Sequence, residues 1–199
     1  VPLVEPSGGV PHVVETEREL ARAAAAIAAG EGPVGIDAER ASGYRYGQRA
    51  YLVQVRREGA GTWLIDPMGC PDLTPLNEAI GAAEWILHAA TQDLACLAEV
   101  GLRPVQLFDT ELAGRILGLP RVGLAAVVEH YLGLSLAKEH SAVDWSTRPL
   151  PEPWLRYAAL DVEVLDELRN LMGVDLATQG KAEWARQEFA ALPPWTPPA

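Results

Sequence analysis

The sequence predicts an α/β fold built on a mixed sheet. Three observations carry that prediction. Apolar runs of strand length recur at residues 34–37, 50–55, 62–65, 85–88 and 105–108. Gly59-Ala60-Gly61 separates the second and third runs, a link that suits an antiparallel hairpin. The later runs are instead separated or followed by segments of helical length, as in strand-to-helix crossovers.

Each element has a local reason. Residues 10–14 read as a short lead-in strand. Thr16-Glu17-Arg18-Glu19 matches a capping box, which starts a helix running to about residue 29, with Gly30 as its stop. Gly32-Pro33 turns the chain into the first core strand, through Asp37. Residues 41–48, with two Gly, two Tyr and an Arg, form a loop before the hairpin strands 50–55 and 62–65. Helices are predicted over 73–82, 91–100, 110–117 and 123–132, with strands at 85–88 and 105–108 between the first three. Residues 135–149 are polar and irregular. Pro151 to Pro153 then open one long helix to about Met172, with Gly173 as its end, and a last helix covers 176–191.

Composition bounds the function. A chain of 199 residues is long enough for one well-buried domain, and no apolar run reaches the length of a membrane span. Cys70 and Cys96 are the only cysteines and lack CxxC spacing, so neither a disulfide framework nor a zinc site is suggested, and a reducing cytoplasm fits. A formal net charge of −11 excludes a protein that grips nucleic acid by bulk electrostatics, but not an enzyme that meets phosphates through bound cations.

The acids carry the chemistry. Val34-Gly35-Ile36 climbs into Asp37 and Glu39, which at i and i+2 of a strand project from one face. Two like charges so close repel, and a divalent metal between them is the simplest relief; a strand end with both acids in water is the plain alternative. Asp93 falls in the first turn of the helix after strand 85–88. The helix dipole explains a carboxylate there, and so does the mouth of a crossover, where α/β sites lie. Tyr157 and Asp161, four apart on the long helix, share a face, with small Ala158 and Ala159 between them. If Asp37, Glu39, Asp93 and Asp161 converge, their all-oxygen ligand set selects Mg²⁺ or Mn²⁺, and four carboxylates suffice for two ions.

The order D-x-E, H-x4-D, Y-x3-D resembles the DEDDy class of 3′–5′ exonucleases, and within it most nearly the ribonuclease D family. The likeness is carried by Ile36-Asp37-Ala38-Glu39, His88-Ala89-Ala90-Thr91-Gln92-Asp93-Leu94, Phe108-Asp109-Thr110, Asp144-Trp145-Ser146-Thr147-Arg148-Pro149-Leu150 and Tyr157-Ala158-Ala159-Leu160-Asp161-Val162. It implies an RNase H-like fold, a five-stranded mixed sheet flanked by helices on both faces. It implies that Asp37 bridges two metals, that Glu39 and Asp161 complete the site of the attacking water, that Asp93 serves the second metal, and that Tyr157 orients the water. A phenol titrates near ~10, so Tyr157 is a poor base at neutral pH and its part is positioning. The implied reaction releases nucleoside 5′-monophosphates from RNA 3′ ends, with tRNA precursors as the implied partner, in the cytoplasm and with a monomer favoured. A DNA exonuclease of the same superfamily and a catalytically silent RNA-binding scaffold are the rival readings.

Further residues are expected at the substrate. Arg40 stands where family members often carry an aromatic or apolar residue that contacts the terminal base, so stacking is assigned to Tyr44 or Tyr46. Lys138 and Arg148 are expected at phosphates, and His140 as a solvated loop residue. Gln54, polar in an apolar strand, either touches substrate or is a satisfied sheet position. His88 and Asp109 are expected to make structural hydrogen bonds, Asp109 as a cap for the helix at Thr110, and Trp145 and Trp154 to be core. Residues 1–190 are expected to form the exonuclease domain and 191–199 a Pro-rich tail or linker. The helical HRDC domains usual after this domain are absent from this chain.

Overall fold

The protein is described by a computed structural model over residues 1–41, 43–44, 47–137, 140 and 142–192. Its centre is strand β3 (Glu31–Arg40) of a six-stranded mixed sheet. The strands before it are β1 (Pro2–Leu3) and β2 (Val13–Val14); those after it are β4 (Ala50–Glu58), β5 (Gly61–Ile65), β6 (Glu84–Leu87), β7 (Gln106–Asp109) and β8 (Ser135–Leu136). The main sheet runs β2-β5-β4-β3-β6-β7, while β1 and β8 pair separately. β3, β4 and β5 form an antiparallel meander through the expected Gly59 turn; β6 and β7 add in parallel. The five core strands expected are thus present, and the lead-in strand expected at 10–14 shortens to the two-residue β2, which joins the sheet as a sixth along β5.

Alternation along β3 sorts the layers. Val34, Ile36 and Ala38 pack with Val53 and Val55 of β4 against helices α1 (Glu17–Ala28), α2 (Thr74–Ile80) and α3 (Ala90–Glu99). The opposite face meets α6 (Glu152–Glu163) and α7 (Leu165–Thr178) through Leu52, Leu64, Ala158 and Ala159, and through Ile86, Val162 and Leu165. Gly35 makes the second contact close: a Cβ there would lie 3.4 Å from both Leu165 Cδ1 and the Val162 carbonyl oxygen. Helices α4 (Thr110–Ile116), α5 (Leu124–Leu132) and α8 (Ala182–Ala191) share a flanking core with α7. No described helix is long and apolar enough to cross a membrane.

The capping box at α1 forms: Thr16 accepts from the Glu19 amide, and Glu19 reaches back to the Glu15 amide. The single helix expected over 151–172 is two, with Val164 at once the end of α6 and the start of α7. Gly173 does not stop α7, which runs on to Thr178, and the last helix begins at Ala182 instead of residue 176. A Cβ at 173 would lie 2.8 Å from Arg169 Nη1, and that guanidinium pairs with Glu84 and covers the Phe108 ring.

Candidate metal centre

The odd-numbered face of β3 turns Asp37 and Glu39 toward α6. From α6 come Asp161 and, one turn earlier, Tyr157. The fully buried Ala158 and Ala159 let the helix lie close to the sheet. One carboxylate oxygen from each of Asp37, Glu39 and Asp161 lies within 4.8 Å of the others. Asp93, 5% exposed, reaches the cluster from the first turn of α3, and its carboxyl meets that of Asp37 within hydrogen-bonding reach. The structure therefore brings the four acids together from three elements, as a trio plus Asp93 against Asp37.

Asp93 depends on a strained joint. Ala89, between β6 and α3, is left-handed at φ 60 and ψ 58, which costs a non-glycine residue roughly 1–2 kcal/mol. Asp109 holds it there. Its carboxylate accepts from the Ala89 amide (3.0 Å) and the Ala90 amide (2.9 Å), and also from Glu111 (2.9 Å) and Leu112 (3.3 Å) at the start of α4. One buried side chain thus ties two helix starts together at the ends of the adjacent strands β6 and β7. The expected cap at Thr110 is present, and the bonds to α3 are an addition to it. Beside it His88 Nδ1 lies 2.7 Å from Thr110 Oγ1, and burial pushes the imidazole down to about 4, so it is neutral at neutral pH.

Burial sets the electrostatics. It raises Asp37 to about 6, and holds Glu39, Asp93 and Asp161 well above the usual carboxylate range, with mutual repulsion adding to it. The opposing contacts are few. The Ala38 amide donates to Asp37 Oδ1 at 2.9 Å, Gln54 donates to Glu39, and the charge of Arg40 favours ionised Asp37 and Asp93. Among the described residues the one charge of Arg40 faces four carboxyl groups, so the pocket favours a further cation. An octahedral Mg²⁺ with oxygens at about 2.1 Å spaces neighbouring ligands about 3 Å apart and opposite ones about 4.2 Å apart. The all-oxygen trio fits that size with a small closure, and hard oxygen donors suit Mg²⁺ or Mn²⁺.

Tyr157 is half-buried with its ring 6.5 Å from that of the fully buried Trp145 and 5.9 Å, edge-on, from His140. Trp145 also packs edge-on to the partly buried Trp154. His140 is accordingly part of an aromatic cluster around Tyr157, more than the solvated loop residue expected.

The expected substrate contacts divide. Arg40 closes β3 beside the acids and donates to Gln48, and Tyr44 is 57% exposed on the following loop. Two expectations are corrected. Arg148 has all five N–H groups engaged: Nε and Nη2 on Asp66 at 3.1 and 2.9 Å, Nη2 also on the Tyr51 carbonyl, and Nη1 on the Trp145 and Thr147 carbonyls. It has no donor left for a phosphate and instead clamps the segment before α6 to the sheet. Gln54 is fully buried, which closes it to substrate; it sits opposite Asp37 on β4 and points its amide nitrogen into the acid cluster. The cue for Gln54 was its polarity among Leu52, Val53 and Val55. For Asp109 it was the sequence Phe108-Asp109-Thr110, which marks the cap on α4 but gives no sign of the bonds to α3. Lys138, Tyr46 and the Pro-rich tail beyond 192 lie outside the described residues.

A family profile described as 3′–5′ exonuclease matches residues 11–177. A ribonuclease D from Jannaschia sp. is 35% identical over 191 residues, covering 92% of this chain and 49% of that protein. The crystal structure of a protein from Bifidobacterium adolescentis superimposes at a TM-score of 0.94 with 50% identity, over 99% of this chain and 50% of that one. Escherichia coli ribonuclease D, described as an exoribonuclease involved in structured RNA processing, gives 0.80 at 31% identity, over 89% of this chain and 48% of its own. The chain spans about half the length of these relatives.

Proposed function

The chain belongs to the 3′–5′ exonuclease family, with its RNase H-like fold, and on that premise we propose a metal-dependent 3′–5′ exoribonuclease acting on RNA tails, tRNA precursors among them. The observation that carries this reading is the convergence of Asp37, Glu39 and Asp161 oxygens within 4.8 Å, with Asp93 against Asp37. Asp37, Glu39 and Asp161 would hold one divalent ion, and Asp37 with Asp93 a second. When bound, such ions supply a nucleophilic hydroxide at neutral pH and neutralise charge on the leaving oxygen.

The chain's own groups do the rest. By holding the ions in one place, the two carboxylates of β3 and the one of α6 would set where the scissile phosphate sits, which would turn a bimolecular attack into one of set geometry. Tyr157, a turn before Asp161 on the same face of α6, would orient the attacking water through its hydroxyl. Arg40 supplies a cationic neighbour for the terminal phosphate, and Tyr44 a ring face for a base.

The test uses matched RNA and DNA oligonucleotides labelled at the 5′ end, with Mn²⁺ or with chelator. The expected result is a ladder shortening from the 3′ end of RNA, with 5′-monophosphates released, and none with chelator. Faster loss of the DNA would select the DNA exonuclease instead. Intact RNA in Mn²⁺ would select a silent RNA-binding scaffold.

A further inference from the structure

We propose that Gln54 is a positioning residue of the metal centre, its side-chain amide nitrogen locking the strand that carries Asp37 and Glu39 to the helix that carries Asp161. The inference rests on the metal-dependent reading above and goes beyond its ligand set. Gln54 lies directly across from Asp37 in the β3–β4 pair and is 0% exposed, so it touches neither solvent nor an incoming strand. Its Nε2 lies 3.1 Å from Glu39 Oε1, 3.2 Å from the Ala158 carbonyl of α6 and 3.5 Å from Asp37 Oδ2. Two hydrogens thus face three acceptors, drawn from the two layers that must meet to build the site. Ala158 stands next to Tyr157 and three residues before Asp161, so the same nitrogen sets the height of both over the sheet.

The other end of the amide shows what this arrangement costs. Gln54 Oε1 is buried with no hydrogen-bond partner among the described residues, a destabilising arrangement for a polar atom. Turning the amide over does not cure it, because Oε1 would then face two carboxylates and a carbonyl. The neighbouring Leu52, Val53 and Val55 are apolar and fully buried, so strand packing alone would be served by another aliphatic residue. A polar residue kept at such a cost is explained by what its donor end holds. With Oε1 of Glu39 held by this donor, the second oxygen of Glu39 would be the one free to hold an ion. Groups that orient metal ligands in this way are commonly worth about 10–100-fold in metal affinity or activity.

The experiment measures Mn²⁺ affinity by calorimetry, and kcat and KM on a single-stranded RNA, for the wild type, Gln54→Met and Ile27→Val. Methionine keeps length and bulk and removes the N–H donors. Ile27→Val trims the fully buried core of α1 on the opposite face of the sheet. Gln54→Met should weaken Mn²⁺ binding by about tenfold or more and lower kcat at saturating metal, with KM for RNA within about twofold of wild type. Ile27→Val should lose stability and keep its Mn²⁺ affinity, which separates positioning from general loosening. Wild-type Mn²⁺ affinity in folded Gln54→Met overturns the inference and leaves the exonuclease reading standing; a wild type that neither binds Mn²⁺ nor shortens RNA overturns both. Should Gln54→Met fail to fold, the Gln54 side-chain amide resonances of the wild type decide the matter by NMR during Mg²⁺ titration. A clear shift supports the inference, and unmoved resonances at saturation refute it.

Discussion

Replacing Asp109 with alanine should disable the acid cluster from a distance. Four backbone N–H groups lose their acceptor at once. Those of Glu111 and Leu112 lose an N-cap, worth about 1 kcal/mol. Those of Ala89 and Ala90 are buried and become orphans at roughly 1–3 kcal/mol each. The sum is about 3 kcal/mol at the least. Part is returned if Ala89 relaxes from its left-handed conformation, worth roughly 1–2 kcal/mol, but that relaxation swings the start of α3 and takes Asp93 off Asp37. Stability and activity are therefore coupled: a variant that recovers stability by relaxing loses its geometry. Urea unfolding should show a loss of about 2–4 kcal/mol. Turnover in Mn²⁺ should fall by about 100-fold, the scale set by a misplacement near 1 Å. A fully active Asp109→Ala, or a loss below about 1 kcal/mol, would refute the account of this joint.

Three further outcomes follow from the cluster. Because burial raises the folded-state pKa of its acids, Asp37 to about 6, the metal-free protein binds more protons folded than unfolded. The resulting stabilisation is full below about pH 4, the ordinary range of an Asp, and is lost as pH rises through about 6 and beyond. Melting temperature in chelator should thus fall from pH 5 to pH 8 more steeply than in Mn²⁺, and identical slopes would contradict the buried-acid picture. Asp37→Ala should abolish hydrolysis while raising the metal-free melting temperature at pH 8, since a repelling charge is removed; retained hydrolysis, measured on labelled RNA, would remove Asp37 from the mechanism. Tyr157→Phe should slow turnover without changing Mn²⁺ affinity by calorimetry, and weakened Mn²⁺ binding would make Tyr157 part of the metal site instead.

The parts of the structure written in local periodicity were readable from the sequence. Asp37 and Glu39 at i and i+2, and Tyr157 and Asp161 at i and i+4, declare a shared face whatever the surroundings. The turn at Gly59 and the cap at Thr16 are equally local. What escaped depends on partners far along the chain. The break at Val164 falls in a continuous apolar pattern, with Val162 before it and Leu165 after it both packed beside Ile86, so no change of period marks it in the sequence. Gly173 reads as a stop until Arg169 is seen beside it. Arg148 reads as a phosphate ligand until Asp66, 82 residues away, is found to hold it. Gln54 is the sharpest case, since both its possible roles were consistent with one polar residue in an apolar strand.

Gly35 carries a consequence for reading relatives of this chain. A methyl at that position would just touch Leu165 and the Val162 carbonyl, whereas a branched side chain would act as a wedge under the junction where α6 passes into α7. Lifted there, Asp161 would part company with the strand acids although every charged residue was still in place. A homologue with all its carboxylates but a bulky residue two places before the first of them is expected to be inert, its layers held too far apart to share an ion.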